Sequence, residues 1–283
     1  MNTKADVLLG TKSILGEGAW FDVQRKVLLW LDIFGCEIHE YDVRTKTDTC
    51  HRVEKPVTTI VPAADGYALG MIDGVWSIDS EFKKLTRMPT PEYDYAHYRC
   101  NEGKCAPDGR LWIGIMELEG KSGMGAYYAV DGKTCELMLD NLDVPNGIVW
   151  NSTHDRMYYT DTVSRRIYGV DYRDGKISNQ STIFVAPDGM PDGMTIDEND
   201  HIWAAVWGAG CVYHIDPVSG SVLGKVEISA PQASSVAIGD SRMYITSARL
   251  SMSDEDLKKH PDSGAVFVAD VPVRGIEAFR FKY

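Results

Sequence analysis

The stretch MYYTDTVSRRIYGVD, residues 157–171, decides the fold. It holds two short runs of aromatic and β-branched residues around a polar turn, which is typical of two antiparallel strands. The pattern recurs around six anchor residues, which are Trp30, Leu69, Trp112, Tyr158, Trp203 and Tyr244. Successive anchors are 39, 43, 46, 45 and 41 residues apart. Six units of this size, each with several strands, predict an all-β, six-bladed β-propeller.

The six units account for most of the 283 residues, so we expect one propeller domain over residues 1–283 rather than two domains. A short run at about Asp6 to Leu9 is predicted to complete the last blade, because an open ring would leave unpaired strand edges. The β pattern is interrupted at residues 251–259, where Ser253 is predicted to cap a short helix.

The charge balance narrows the choice of partners. The chain has 29 Lys and Arg against 41 Asp and Glu, a net charge of −12. Nucleic acids and anionic membranes bind basic surfaces, so we expect neither as a partner. Residues 1–10 lack the apolar run of a signal peptide, and no stretch reaches the ~18 apolar residues of a membrane helix. We therefore expect a cytoplasmic protein, and the oligomeric state stays open.

Oxygen-bearing side chains mark the start of several inner strands, which line the central channel of a propeller. Glu17, Asn101, Asn146 and Asp192 precede their anchors by 13, 11, 12 and 11 residues. Asn-Gly and Asp-Gly also fit ordinary turns when each is taken alone. The recurrence of oxygen-bearing side chains at one point of the repeat instead predicts a ring of oxygen ligands. Such a ring suits a hard divalent cation on the propeller axis.

The ends of the second strands meet at the same face and supply the predicted rim of the cavity. The rim residues are Asp32, Glu117, Asp161, Trp207 and Arg249, and Arg99 lies two residues before Asn101. A cation, carboxylates, an amide and an arginine suit a small polyhydroxylated substrate with a carbonyl group. Asp32 and Asp161 equally fit hydrogen bonds to the backbone between blades.

Other hydrolytic motifs are missing from the sequence. It contains no Gly-x-Ser-x-Gly elbow, and its seven histidines form no His-Glu-x-x-His pattern. None of the histidines starts an inner strand, so surface positions are predicted for them.

Six segments resemble the SMP-30/gluconolactonase/regucalcin family of sugar lactone lactonases, which are six-bladed propellers. They are LGEGAW (15–20), RCNEGK (99–104), PDGR (107–110), NGIVW (146–150), YYTDT (158–162) and PDGM (191–194). The likeness runs from about residue 8 to residue 281. It implies one divalent cation bound by Glu17, Asn146 and Asp192. It also implies that Arg99, Asn101 and Glu117 hold the substrate's hydroxyl groups.

The activity implied by this resemblance is hydrolysis of a sugar lactone to the aldonic acid. Calcium is the expected ion, with zinc, magnesium, manganese and iron(II) as alternatives. The ion is expected to polarise the lactone carbonyl and to lower the pKa of water, with Asp192 as general base. Residues 99–102 read RCNE, where many relatives have an aromatic residue and then Asp. We therefore expect Cys100 and Glu102 to change the edge of the pocket.

Two other functions remain open at this stage. A phosphotriesterase-like hydrolase would use the same cation with an apolar pocket and without an arginine. A non-enzymatic propeller that binds calcium or a protein partner would need no pocket for a lactone.

Overall fold

Residues 2–283, which the computed structural model describes, form six sheets of four or five strands. The chain begins with β1 (Asn2–Lys4) and β2 (Asp6–Leu9). Blade 1 contains β3 (Gly16–Asp22), β4 (Val27–Asp32), β5 (Glu37–Asp42) and β6 (Thr47–Arg52). Blade 2 contains β7 (Val57–Pro62), β8 (Tyr67–Met71), β9 (Gly74–Ile78) and β10 (Leu85–Arg87). Blade 3 contains β11 (Tyr98–Cys105), β12 (Leu111–Glu117), β13 (Gly125–Val130) and β14 (Cys135–Leu142).

The second half of the chain continues this arrangement. Blade 4 contains β15 (Pro145–Trp150), β16 (Arg156–Asp161), β17 (Arg166–Arg173) and β18 (Lys176–Val185). Blade 5 contains β19 (Met190–Ile196), β20 (Ile202–Trp207), β21 (Cys211–Asp216) and β22 (Ser221–Glu227). Blade 6 contains β23 (Ala233–Gly239), β24 (Arg242–Ser247) and β25 (Val266–Asp270). The innermost strands β3, β7, β11, β15, β19 and β23 pack against one another in a ring, which confirms the six-bladed propeller.

The amino-terminal strands join the last two blades. β2 pairs antiparallel with β25, with Asp6 opposite Val268, and so supplies the outer strand of blade 6 as the sequence predicts. β1 adds to blade 5 as a parallel neighbour of β22, with Asn2 opposite Lys225. The ring is therefore closed by strands from both ends of the chain, which leaves blade 6 without an exposed β25 edge.

The second strand of each blade explains why the anchor residues are large and apolar. Every residue of β4 is buried, and the anchors Trp30, Trp112 and Trp203 are almost completely buried. A blade is covered on both faces by its neighbours, so its strands read as continuous apolar runs rather than as alternating ones. Burial of these side chains between blades supplies the main driving force for ring assembly.

The predicted helix is present as α1 (Asp254–Lys259). The Ser253 hydroxyl accepts a hydrogen bond from the backbone N–H of Asp256, and the Asp256 side chain accepts from the backbone N–H of Ser253. This reciprocal capping box confirms the role expected for Ser253. No helix within residues 2–283 is long and apolar enough to span a membrane.

The carboxy-terminal segment crosses the face where the inner strands end. Bridges join Gly275 to Asp197 in blade 5 and Phe281 to Ala63 in blade 2. Residues 276–279 line the central channel together with the walls of the inner strands. The side chains at the starts of the inner strands, Glu17, Asn101, Asn146 and Asp192, are therefore reached from the opposite face of the propeller.

The prediction that the histidines lie on the surface is wrong for His39 and His214. His39 is 6% exposed and stacks on Trp30, with ring centroids 3.9 Å apart. His214 stacks on Trp203 at the same distance, and its side chain is 14% exposed. Each histidine lies directly opposite its tryptophan across two strands, and this cross-strand pairing covers the imidazole ring.

Candidate functional site

A β-bulge occurs in every inner strand, because each has one more residue than its partner over the same stretch. The register shifts lie at Glu17/Trp20, Val57/Thr59, Cys100/Gly103, Pro145/Ile148, Pro191/Met194 and Ala233/Val236. A bulge bends the strand and turns side chains away from the regular alternation. Asn101, Asn146 and Asp192 lie within bulges and Glu17 begins one, so the recurring sequence position is also a recurring backbone feature.

Glycine at the bulge allows neighbouring inner strands to approach closely. A Cβ atom on Gly147 would lie 2.6 Å from the carbonyl oxygen of Asp192 and 2.7 Å from the backbone nitrogen of Met194. These contacts are too short for any side chain, so only glycine brings β15 this close to β19. The close approach places the Asn146 side chain against Asp192.

The amide of Asn146 holds the carboxylate of Asp192. Asn146 Nδ2 donates to Asp192 Oδ1 and to Thr162 Oγ1, the latter at 3.2 Å. Asn146 Oδ1 is buried and finds no hydrogen-bond partner among residues 2–283. A buried amide oxygen without a donor is costly unless a ligand outside the chain satisfies it.

Glu17 and Asp192 are buried carboxylates that repel each other. Burial, with the charge of Glu102, raises the pKa of Glu17 to about 8. Burial, followed by the charges of Glu17 and Glu102, raises the pKa of Asp192 well above its usual range. Both carboxylates and the free amide oxygen of Asn146 are hard oxygen donors, and they fit a divalent cation in place of the protons.

Arg99 and Asn101 lie beside these carboxylates. Arg99 donates through one guanidinium nitrogen to Asn101 Oδ1 at 2.8 Å and to the carbonyl of Cys100 at 2.9 Å. Asn101 Nδ2 donates to the carbonyl of Pro145 at 2.9 Å. Burial lowers the pKa of Arg99, while the negative charges of Glu17 and Asp192 oppose that shift. The structure thus brings five of the six predicted site residues into one connected cluster.

Glu117 is held by its own turn instead. Its Oε2 accepts from the backbone N–H groups of Glu119 and Lys121 at 2.9 and 3.0 Å. Lys121 Nζ lies 3.4 Å from Oε1. The backbone N–H of Lys121 is the main reason why the pKa of Glu117 is lowered. This carboxylate organises residues 117–121, and its contact with a substrate stays a prediction.

Asp32 and Asp161 have matching structural roles at the ends of β4 and β16. Asp32 accepts from the backbone N–H groups of Ile14 and Leu15, just before β3. Asp161 accepts from those of Asp143 and Val144, just before β15. Both carboxylates fix the loop that leads into the inner strand of their own blade, in line with the structural alternative for these residues.

Glu102 and Lys104 are charged groups in the channel for which the repeat pattern predicts no role at the axis. Glu102 is 5% exposed, and its Oε2 has no hydrogen-bond partner within the described chain. Burial raises the pKa of Glu102 to about 7, although Lys104 opposes this shift. Lys104 Nζ lies 3.9 Å from Glu102 Oε1 and donates to the carbonyl of Met194. The bulge at residues 100–103 is the signal that Glu102 also turns toward the channel.

Cys100 does not line the pocket, so the expectation that it changes the pocket edge is wrong. Its side chain is fully buried in the apolar core between blades 2 and 3, with Val61 and Ile113. It precedes the bulge and keeps the regular alternation, which directs it into the space between the blades.

Three comparisons relate this chain to known proteins. A family model described as the SMP-30/Gluconolactonase/LRE-like region matches residues 15–249. A Bacillus subtilis (strain 168) protein, provisionally named sugar lactone lactonase YvrE, is 30% identical over 281 residues and 96% of each chain. Regucalcin of Xenopus laevis is 29% identical, over 94% of each chain. The crystal structure of a calcium-binding regucalcin from Agrobacterium tumefaciens superposes with a TM-score of 0.94 at 26% identity, covering 100% of this chain and 99% of that one.

Proposed function

Since the chain belongs to the SMP-30/Gluconolactonase/LRE-like family, we propose that it is a cation-dependent lactonase that hydrolyses a sugar lactone to the aldonic acid. The observation that carries this proposal is the axial cluster of Glu17, Asp192 and the unpartnered oxygen of Asn146, beside Arg99. The name of the Bacillus subtilis relative supports a lactone as the substrate class.

Glu17, Asn146 and Asp192 are the proposed ligands of one divalent cation. Calcium is the ion we expect because all three donors are oxygens, and zinc, magnesium, manganese and iron(II) are the alternatives. The calcium-binding regucalcin of Agrobacterium tumefaciens supports this choice. When bound, such an ion acts as a Lewis acid on the lactone carbonyl and lowers the pKa of water.

Asp192 is the proposed general base. Asn146 Nδ2 holds one carboxylate oxygen, which fixes the orientation of the carboxylate and leaves the other oxygen to receive a proton from the attacking water. Burial, followed by the charges of Glu17 and Glu102, raises the pKa of Asp192 in the cation-free protein, and a bound divalent cation would oppose that shift.

Arg99 and Asn101 are proposed to orient the sugar. The Arg99 guanidinium has five N–H groups, and the structure uses only one of its nitrogens for hydrogen bonds to Asn101 and Cys100. The remaining donors suit ring hydroxyl or carbonyl oxygens of a bound lactone. At Glu117, Oε1 accepts no backbone N–H and is the oxygen that would receive a sugar hydroxyl.

The two competing functions predict different chemistry at the same site. A phosphotriesterase-like enzyme needs an apolar pocket, whereas half-buried Arg99 beside Asn101 favours a polar substrate. A non-enzymatic propeller would bind calcium through the same three ligands without turnover.

A substrate panel separates these functions. Protein stripped of metal by chelation is reloaded with each divalent cation and assayed against 1,4- and 1,5-aldonolactones and a phosphotriester, with a pH indicator to follow acid release. We expect cation-dependent hydrolysis of at least one aldonolactone. Turnover that survives complete chelation would contradict the cation-dependent mechanism. Tight calcium binding with no lactone hydrolysis would favour the non-enzymatic function.

A further inference from the structure

We propose that Asp197, His201 and His214 form a second metal site in blade 5, which takes Zn²⁺ or a similar divalent transition-metal ion. Asp192 lies in the bulge near the start of β19, and Asp197 directly follows the end of the same strand. The two sites therefore lie at opposite ends of one inner strand and share no residue. Nothing in the proposed lactonase mechanism uses this second cluster.

The ligand atoms already lie at the separations that a metal ion requires. His214 Nε2 is 3.2 Å from His201 Nδ1 and 3.7 Å from Asp197 Oδ2. One ligand atom from each of the three residues lies within 4.8 Å of the others. Ligands at about 2.0–2.1 Å from a tetrahedral zinc ion are about 3.3 Å from one another. The two His214 separations lie within about 0.4 Å of that value.

The carboxylate of Asp197 is fixed by hydrogen bonds that leave room for a metal. Its Oδ1 accepts from the backbone N–H groups of Asn199 and His201 at 2.9 and 3.1 Å. Its Oδ2 accepts only from Trp203 Nε1, at 2.8 Å, and keeps one lone pair free among the described residues. The residue is completely buried. Such supporting hydrogen bonds are a regular feature of carboxylate ligands.

His214 is held in place by Trp203. The two rings stack with an interplanar angle of 6°, which directs the imidazole edge with Nε2 toward Asp197 and His201.

His201 connects the cluster to solvent. It borders a surface cleft between blades 4 and 5, with Asn199 and Asp200 beside it. The cleft gives an ion a path to the cluster, and it leaves space for a water molecule as the fourth ligand.

The chemistry of the donors selects the kind of metal. Two imidazole nitrogens and one carboxylate suit zinc and related transition metals, while calcium prefers oxygen ligands only. The all-oxygen cluster on the axis has the opposite preference. The second site should therefore fill with zinc when calcium is in large excess.

A related cluster in blade 1, formed by Glu37, His39 and Cys50, offers zinc a less suitable carboxylate and thiol. His39 stacks on Trp30 just as His214 stacks on Trp203, with its Nε2 at 3.3 Å from Glu37 Oε2 and its Nδ1 bonded to Asp48 at 2.7 Å. The neighbouring Glu37 is paired with Arg52 at 2.9 Å. Burial raises the pKa of the nearby Cys50 thiol, which disfavours the thiolate that binds zinc.

Zinc binding to the full chain tests the assignment. Chelator-stripped protein is dialysed against Zn²⁺ in excess calcium, and bound zinc is counted for the wild type, His201→Gln and His97→Gln. His97 is a matched control because it is an exposed histidine paired with Asp94. We expect His201→Gln to weaken zinc binding by roughly 10-fold or more and His97→Gln to bind like the wild type. Calcium-dependent lactonase activity should be unchanged in both.

An anomalous-difference map at the zinc edge locates the ion. A peak bonded to Asp197, His201 and His214 is the expected result, and Asp192→Asn should leave it in place, which keeps this test separate from the lactonase proposal. No peak at the cluster, or wild-type zinc affinity in His201→Gln, would overturn the assignment. Zinc that survives in His201→Gln but is lost in His39→Gln would overturn it as well.

Discussion

At the scale of single residues, Asp192 combines burial, two nearby carboxylates and an amide donor. Replacing it with asparagine keeps the shape but removes the negative charge and the proton acceptor. We expect Asp192→Asn to lower kcat for an aldonolactone by about 10²–10⁴-fold and to weaken calcium binding. The measurements are a pH-indicator assay and calcium titration calorimetry.

Asp174→Asn is the matched control for this prediction. The Asp174 side chain is 93% exposed in a turn with φ +50, a conformation that asparagine tolerates as well as aspartate. It should retain wild-type activity and calcium affinity. Full activity and full calcium content in Asp192→Asn would exclude Asp192 both as base and as ligand.

Glu102 makes the stability of the cation-free protein depend on pH. Burial raises its folded-state pKa to about 7 from an ordinary value of 4.5, so the folded state favours the protonated form. The stabilisation is complete below about pH 4.5 and is lost as the pH rises through 7. Relative to the wild type, Glu102→Gln should therefore gain stability between pH 5 and pH 8, by at most about 3 kcal/mol. Thermal melts in chelator at several pH values measure this difference, and a pH-independent difference would contradict the prediction.

The site residues differ in how well the sequence predicts them. Glu17, Asn146 and Asp192 could be proposed because oxygen side chains recur at one point of a sixfold repeat. The sequence predicts no axial role for Glu102, because the one extra residue of a bulge cannot be recognised from alternation in a single strand. The position of Glu117 in the repeat predicts that it lies at the rim, but its bonds to the backbone of its own turn depend on the fold of residues 117–121.

At the scale of elements, the inner-strand bulges and the close approach of β15 to β19 determine where the ligands lie. A methyl group on Gly147 would collide with backbone atoms of β19 at 2.6 and 2.7 Å. We expect Gly147→Ala to push the two strands apart, to destabilise the protein by about 1–3 kcal/mol and to weaken calcium binding. Denaturant unfolding and calcium titration check both effects.

Gly10→Ala is the appropriate control for Gly147→Ala. A Cβ atom at Gly10 has no neighbouring atom of the described residues within 4 Å. This variant should match the wild type in stability and calcium affinity. Unchanged calcium affinity in Gly147→Ala would show that the spacing of β15 and β19 does not position Asn146.

The strands themselves could be predicted closely. The inner strands whose starts the sequence places at Asn146 and Asp192 are observed as Pro145–Trp150 and Met190–Ile196. Such runs are bounded by turn residues, so their ends can be read locally. The burial of His39 and His214 could not be read in this way, because it depends on which tryptophan lies opposite in the next strand.

At the scale of the whole molecule, the repeat predicts the propeller because each unit must bury its faces against two neighbours. The segment that crosses the far end of the channel was not predicted. The position of residues 271–283 depends on bridges from Gly275 and Phe281 to blades 5 and 2, and on backbone hydrogen bonds such as that from Lys282 to Gly109 in blade 3. Contacts of this kind are set by the assembled ring rather than by a local pattern.

Closure of the ring by β2 is expected to stabilise the whole molecule. β2 covers the edge of β25, and Leu8 and Leu9 pack onto the apolar cluster between blades 6 and 1, which contains Phe21 and Trp30. Deletion of residues 2–9 would expose this edge and loosen β23 against β3, which carries Glu17. We expect the melting temperature to fall by about 10 °C and calcium binding to weaken, since each kcal/mol lost corresponds to roughly 2–4 °C in a chain of this size.

Deletion of residues 2–4 is the control, because β1 only extends the outer edge of blade 5 and that loss leaves the ring closed. Equal melting temperatures for the two deletions would show that β2 does not hold the ring together.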